Sequence, residues 1–124
     1  MKMYWDYNNL NELYNAAKIT LIDGHEPMNE HGFVQMKIFD TLASGGFPLS
    51  YYNAGMKQIF GDLLPQYKTK MQMNALIRYY LNHEDERLEI IKKSKRYLKK
   101  HTYKHRAKTI LDYIKKEVIK DDKA

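Results

Sequence analysis

Residue types that can do chemistry crowd one short segment: His25, Glu26, Glu30 and His31, followed by Lys37 and Asp40. Carboxylates accept hydrogen bonds from hydroxyls, imidazoles move protons or bind metals, and a lysine neutralises an anion. Drawn as a metal set, Glu26, Glu30 and His25 or His31 have no spacing that fixes a coordination geometry, so no metal site is expected. Lys37 and Asp40 are three apart, which on a helix makes a surface pair worth ~0.2–0.5 kcal/mol. A second run, KKSKRYLKKHTYKHR (92–106), sets two tyrosines among cations, the residue mix of a nucleic-acid binder. Leu88, Ile91 and Leu98 give it an apolar side, which fits a surface helix with its cations in solvent. Within it Thr102 reads as an N-cap, and Tyr103, His105 and Arg106 as packing or capping groups around the last helix. With zero Cys there is no thiolate metal site and no cysteine nucleophile. Zincin, nucleophile-elbow and phosphate-loop patterns do not occur.

The elements that must hold these residues alternate. Residues 8–17 place Leu10, Leu13, Tyr14 and Ala17 on one helical stripe, with Asn8 or Asn9 as N-cap. KITLI (18–22) is β-branched and ends at Asp23-Gly24, so it reads as a strand. DGHEPMNEHG (23–32) reads as a polar loop, and 33–44 as a largely apolar, buried helix stopped by Gly45-Gly46. FPLSYY (47–52) is a second strand, followed by a short helix near 54–60 and a weak strand near 64–67. Helices are predicted over 71–82, about 84–99, and 102 to about 119, the last aligning Ala107, Ile110, Leu111, Ile114 and Val118.

Alternation of this kind implies parallel strands joined by crossover helices. The fold class is therefore α/β, a partial doubly wound (Rossmann-like) parallel sheet of three to four strands with a helical C-terminal tail. At 124 residues the chain fits a single domain over 1–124, with strand and helix alternation in 1–69 and the helical tail in 70–120. The glycine-rich first turn of a complete dinucleotide-type fold is absent, so the chain is expected to be the second half of such a domain. A half sheet leaves an open edge, and Tyr4, Trp5 and Tyr7 predict a homodimer or a partner domain in contact through residues 3–7. Residues 1–62 carry 4 Lys against 7 Asp and Glu, a net of −3, while 63–124 carry 17 Lys and Arg against 8, a net of +9. The basicity belongs to the helical tail and does not describe the whole chain. MKMYWDY contains Asp6 and no apolar stretch, so it is not a signal peptide, and no run approaches the ~20 apolar residues of a membrane span. A cytoplasmic protein without a transmembrane segment is expected.

EHGFVQMKIFDTLASGGFPLS (30–50) resembles the nucleotide-sugar-binding segment of GT-B-type glycosyltransferases, the group-1-like enzymes with two facing Rossmann-like domains. The resemblance takes in Gly32-Phe33, Asp40, Ala43-Ser44-Gly45 and FPLS, with LNELYNAAKITL (10–21) before them. It continues through YYLNHEDER (79–87) to HTYKHRAKTIL (101–111), which is similar to the tail of the spore-maturation-protein-like branch. It implies a donor-binding piece of a transferase that moves a hexosyl unit from a UDP- or GDP-sugar to an acceptor hydroxyl. By the same resemblance Asp40 holds the ribose hydroxyls, and Gly32 and Phe33 approach the sugar and diphosphate. The family's commonest motif has two glutamates eight apart, the first just before Gly-Phe. Here His31 stands before Gly32 with Glu30 one further back, and the interval from Gly32 to Asp40 is one residue longer. Glu30 or His31 then fills the place of the first carboxylate, and Lys37 falls where the branch tends to carry an arginine. The implied nucleotide-sugar site is thus Glu30, His31, Gly32, Phe33, Lys37 and Asp40, with no cofactor, no metal and no catalytic residue assigned. The implied partner is a missing N-terminal acceptor domain, or a second copy, without which the chain is expected to be inactive. Two other readings come from other classes: a small basic nucleic-acid-binding protein acting through 92–108, and a non-catalytic interaction module.

Overall fold

The computed structural model describes residues 7–119. A 3-10 turn (Tyr7–Asn9) runs into α1 (Leu10–Ala16), followed by β1 (Thr20–Ile22), α2 (Glu26–Glu30), α3 (Met36–Ala43), β2 (Pro48–Tyr51) and α4 (Met56–Phe60). The chain continues through β3 (Gln66–Tyr67), α5 (Lys70–Asn82), α6 (Glu84–Leu98) and α7 (Tyr103–Tyr113), and ends in a π turn (Ile114–Val118). The three strands form one parallel sheet in the order β1-β2-β3, with Leu21 opposite Leu49 and Tyr51 opposite Tyr67. This is the α/β architecture with a helical C-terminal region that the sequence implies. The dimer contact expected at residues 3–7 lies outside the described residues except for Tyr7, which opens the first turn.

One face of the sheet carries the core. Ile22 of β1 packs with Ile38, Phe39 and Leu42 of α3, Met56 and Phe60 of α4, and Leu64. Each such side chain stabilises by roughly 1.5–3 kcal/mol when fully buried. The Phe39 and Phe60 rings lie 5.5 Å apart, and Tyr97 of α6 meets Phe60 edge-on at 5.9 Å. Strand alternation turns Phe47 and Leu49 to the opposite face, where the Phe47 ring packs at a tilt against Tyr80 of α5, centroids 4.7 Å apart. Leu21 shares that face by register but is 50% exposed, so at the β1 edge the described residues cover the face only in part.

The loop expected over 23–32 contains α2. Pro27 sits in its first turn with Glu26, both favourable where backbone N–H groups are free. Gly32 closes it at φ +75, a left-handed conformation that side chains resist. Phe33 N–H then reaches back to Met28 O and Gly32 N–H to Asn29 O. That closure delays the next helix. α3 starts at Met36, three residues later than the apolar run at Phe33 and Val34 suggests, and it is amphipathic, with Met36, Lys37 and Ala43 in solvent. Gly45 ends α3 at φ +83 with the same two bonds, Gly46 N–H to Thr41 O and Gly45 N–H to Leu42 O. At the other end of the chain's first helix, Asn9 is the N-cap of α1 by position, but its side chain makes no capping bond.

α6 docks on a face that only partly matches the apolar side expected of it, since Leu98 packs on the core and Ile91 is half-buried, as expected, while Leu88 is not inward. Leu88 is exposed, and the inward stripe is Arg87, Ile90, Ser94, Tyr97 and Leu98. Lys92, Lys93, Lys95, Arg96, Lys99 and Lys100 are all in solvent. Arg87 is only 5% exposed, and its guanidinium donates to Tyr80 O, one of the carbonyls left open at the end of α5. Glu84 Oε1 stands 4.0 Å away on the wet side. A hydrogen bond from a charged donor to a buried carbonyl contributes ~1.5–3 kcal/mol. Arg87→Ala is therefore expected to lower stability by about that amount and to loosen the α5–α6 corner, with Arg87→Lys recovering only part. Urea unfolding monitored by circular dichroism checks this, and a parent-like midpoint for the alanine variant would show that the corner holds without the bond.

Candidate functional site

The loops that leave the C-terminal ends of the strands are tied together by one buried amide. Asn53, 2% exposed, follows β2. Its backbone N–H donates to Gln66 Oε1 (2.8 Å), and its Nδ2 donates to Phe33 O (2.9 Å) and Asn29 Oδ1 (3.2 Å). Its Oδ1 accepts from Gly55 N–H (2.8 Å), and Ala54 N–H donates to Asn29 O (3.0 Å). Three of these bonds clamp the end of α2 against the β2–α4 loop, one closes that loop on itself, and one ties it to β3. The two backbones approach so closely that a Cβ on Gly32 would meet Gly55 N at 3.1 Å. Gln35, the N-cap of α3, is held from the other side by its Nε2 donating to Asp23 O at 2.5 Å.

This clamp fixes the backbone of Glu30, His31, Gly32 and Phe33 and leaves the three side chains outward. Glu30 and His31 are exposed, and Phe33 is 62% exposed. The four lie at the C-terminal end of α2, beside the carboxyl ends of β1 and β2, the edge at which open α/β sheets take their ligands. They are not in the first turn of α3.

Lys37 and Asp40 sit apart from them, on α3. Lys37 is exposed and Asp40 half-buried, and no ion pair joins them among the described residues. Asp40 faces two cavities. One, of about 220 Å³, lies toward Leu10, Asn11 and Tyr14 of α1. The other, of about 240 Å³, is closed by the end of α6 and the start of α7, with Leu98, His101, Tyr103 and Arg106 opposite Met36, Phe39 and Asp40. Of the six residues singled out in the sequence, Asp40 is the one on these walls.

The corner between α6 and α7 is the part sequence reasoning assigned to packing. Thr102 caps α7 as expected, accepting from His105 N–H, and its Oγ1 lies 2.6 Å from His105 Nδ1. Tyr103 O–H donates to Met36 Sδ at 2.7 Å. The His101 ring packs on Phe39 at 5.6 Å, and the Arg106 guanidinium lies over the same ring at 5.1 Å. The signal for this wall was the spacing of Tyr103 and Arg106, three apart and hence on one side of a helix. Asn29 and Asn53 gave no comparable signal. Among the described residues no three acidic or histidine side chains gather where they could hold a metal ion, and no helix is long and apolar enough to cross a membrane.

A model of the family described as Glycosyl transferase-like matches residues 3–112. No curated protein and no solved structure matches the chain.

His101 carries the pH dependence of the corner. Burial first, then the nearby charges of Arg106, His105 and Lys100, push its pKa below the ordinary 6.5, with Asp40 on the facing wall. A base harder to protonate when folded binds fewer protons than in the unfolded chain, so stability rises with pH across the interval from its folded value up to ~6.5. Below that interval the penalty is present in full. Acidification from pH 7 to 5 is expected to destabilise the parent more than His101→Gln. Thermal melts of both proteins across that range measure the difference, and parallel curves would remove His101 from the account.

Proposed function

This chain belongs to the glycosyl transferase-like family, and from that premise we propose that it is the donor-binding portion of a GT-B-type glycosyltransferase. Its substrate is a UDP- or GDP-hexose, and the hexosyl unit goes to an acceptor hydroxyl. The acceptor oxygen attacks the anomeric carbon while the bond from that carbon to the diphosphate oxygen breaks. The nucleoside diphosphate leaves with the electron pair, and the acceptor proton passes to a base outside this chain. The work of this portion is to position the donor and meet its charge, the two contributions that carry most of such a reaction.

The observation that carries the reading is Asp40: a half-buried carboxylate without an ion pair among the described residues, lining two cavities, at the position where the family resemblance places the ribose ligand. Glu30, His31, Gly32 and Phe33, fixed by the Asn53 clamp at the sheet's carboxyl edge, are the candidates to face the sugar and diphosphate. Lys37 adds positive charge on the solvent side of α3. The acceptor site and the catalytic base belong to a partner, either an acceptor domain or a second copy, and the chain alone binds donor without turnover. The half-exposed Leu21 on the partly covered face at β1 supports such a partner. The donor-binding role fits a cytoplasmic setting.

Calorimetry of the full chain against UDP, GDP and their hexosyl derivatives tests this. One nucleotide series is expected to bind, and Asp40→Asn to weaken it by about ten- to a hundredfold, since a charge-assisted hydrogen bond contributes ~1.5–3 kcal/mol. A folded parent that takes up none of these ligands at millimolar concentration would overturn the function. A folded asparagine variant that binds like the parent would overturn the residue assignment.

A further inference from the structure

We infer that the α6–α7 corner is the second wall of the nucleotide site, and that Arg106 binds the phosphate next to the ribose. The inference rests on the donor-binding reading above and extends it to residues that reading does not use. The cavity between α3 and the corner holds about 240 Å³. That is below the ~300–1,000 Å³ of a site for a complete small-molecule ligand, so it suits one end of a nucleotide-sugar.

Its walls select which end. Asp40 supplies an acceptor for hydroxyls. Leu98 and the exposed Tyr103 supply apolar and aromatic surface for a flat ring, with Phe39 beneath them. Arg106 supplies a planar cation. The opposite charges of Asp40 and Arg106 share this cavity yet form no ion pair with each other, and neither group is in an ion pair with any other described residue. Arg106 instead lies over the Phe39 ring and is exposed, so its N–H donors can serve an anion. A ligand that carries vicinal hydroxyls, a flat heterocycle and a negative charge within a few bonds of one another satisfies all three walls. That chemistry is a nucleoside 5′-monophosphate unit.

The test compares nucleosides with nucleotides on the full chain. Uridine, UMP, guanosine and GMP are titrated against the parent, Arg106→Gln and Asp40→Asn, with circular dichroism confirming the fold of each. Arg106→Gln is expected to weaken the monophosphate by about tenfold or more and leave the matching nucleoside unchanged, because only the charge-assisted bond is lost. Asp40→Asn is expected to weaken nucleoside and nucleotide alike. Parent-like monophosphate binding by a folded Arg106→Gln, with Asp40→Asn still impaired, overturns this inference and leaves the donor-binding function standing. No binding of any nucleotide by the parent overturns both. Amide chemical-shift changes in the parent on adding the monophosphate give a readout without mutation. Shifts at residues 101–106 are expected, and shifts confined to residues outside the corner would overturn the assignment.

Discussion

The ring of Phe39 is where the core stops and the cavity starts. One side meets Phe60 at 5.5 Å inside the core, and the ring also receives His101 at 5.6 Å and the Arg106 guanidinium at 5.1 Å. α3 therefore cannot shift without disturbing both, and Asp40, its next residue, inherits a position set by core packing. Interiors are packed too densely for a helix carrying Ile38, Phe39 and Leu42 to slide by fractions of a turn. A half-buried carboxylate on such a helix has its orientation decided by folding before any ligand arrives. This is the condition under which a binding group acts with little loss on ordering.

A second constraint operates at the carboxyl edge of the sheet. Gly32 must be left-handed to close α2, and it must lack a Cβ to lie against Gly55. Asn53 converts that contact into fixed geometry by satisfying Phe33 O, Asn29 Oδ1 and Gly55 N–H at once. Each of these bonds contributes only ~0.5–1.5 kcal/mol, but losing the Asn53 amide would leave several buried partners unpaired together. The loop bearing Glu30, His31 and Phe33 is thus rigid in its backbone while its side chains remain in solvent. The two groups of candidate residues are held by unrelated devices, a glycine–asparagine clamp for one and an aromatic core for the other.

Much of the fold was legible because it rests on local signals. β1 and β2 are short apolar strands bounded by Asp23-Gly24 and Gly46, α5 and α7 repeat apolar residues at helical spacing, Gly45 stops α3, and Thr102 caps α7. The misreadings share one physical origin, tertiary context hidden behind polar residue types. α2 has no apolar stripe, so its Pro27 and Glu26 start signals were outweighed by a polar segment. α6 buries Arg87 and Ser94, whose burial depends on Tyr80 O and Ile91 O, so the apolar residues Ile91 and Leu98 locate that face only in part and Leu88 misplaces it. Of the candidate site, the positions of Glu30 to Phe33 and Asp40 came from a sequence pattern. The cavity did not, since its walls meet through pairs such as Met36 and Tyr103, 67 residues apart in the chain.

The two walls of that cavity differ in how firmly they are built. α3 is anchored by several fully buried side chains, each worth roughly 1.5–3 kcal/mol. The corner opposite is held by weaker contacts: one hydroxyl on a thioether, an imidazole on a phenyl ring, and an exposed guanidinium on the same ring. Aromatic pairs contribute ~0.5–1.5 kcal/mol and exposed cation–π contacts ~0.5–1 kcal/mol, so the corner's anchorage sums to a few kcal/mol at most. Beyond Arg106, α7 gives the body almost no buried surface, with Ile110, Leu111, Ile114 and Val118 all in solvent. Local opening draws on the segments with the fewest buried contacts, which here is the corner and not α3. Protonation of His101 adds a cation beside Arg106 and weakens the same wall further. Asp40 is consequently the fixed reference of the cavity, and the segment from His101 to Arg106 is the part whose position responds to solution conditions.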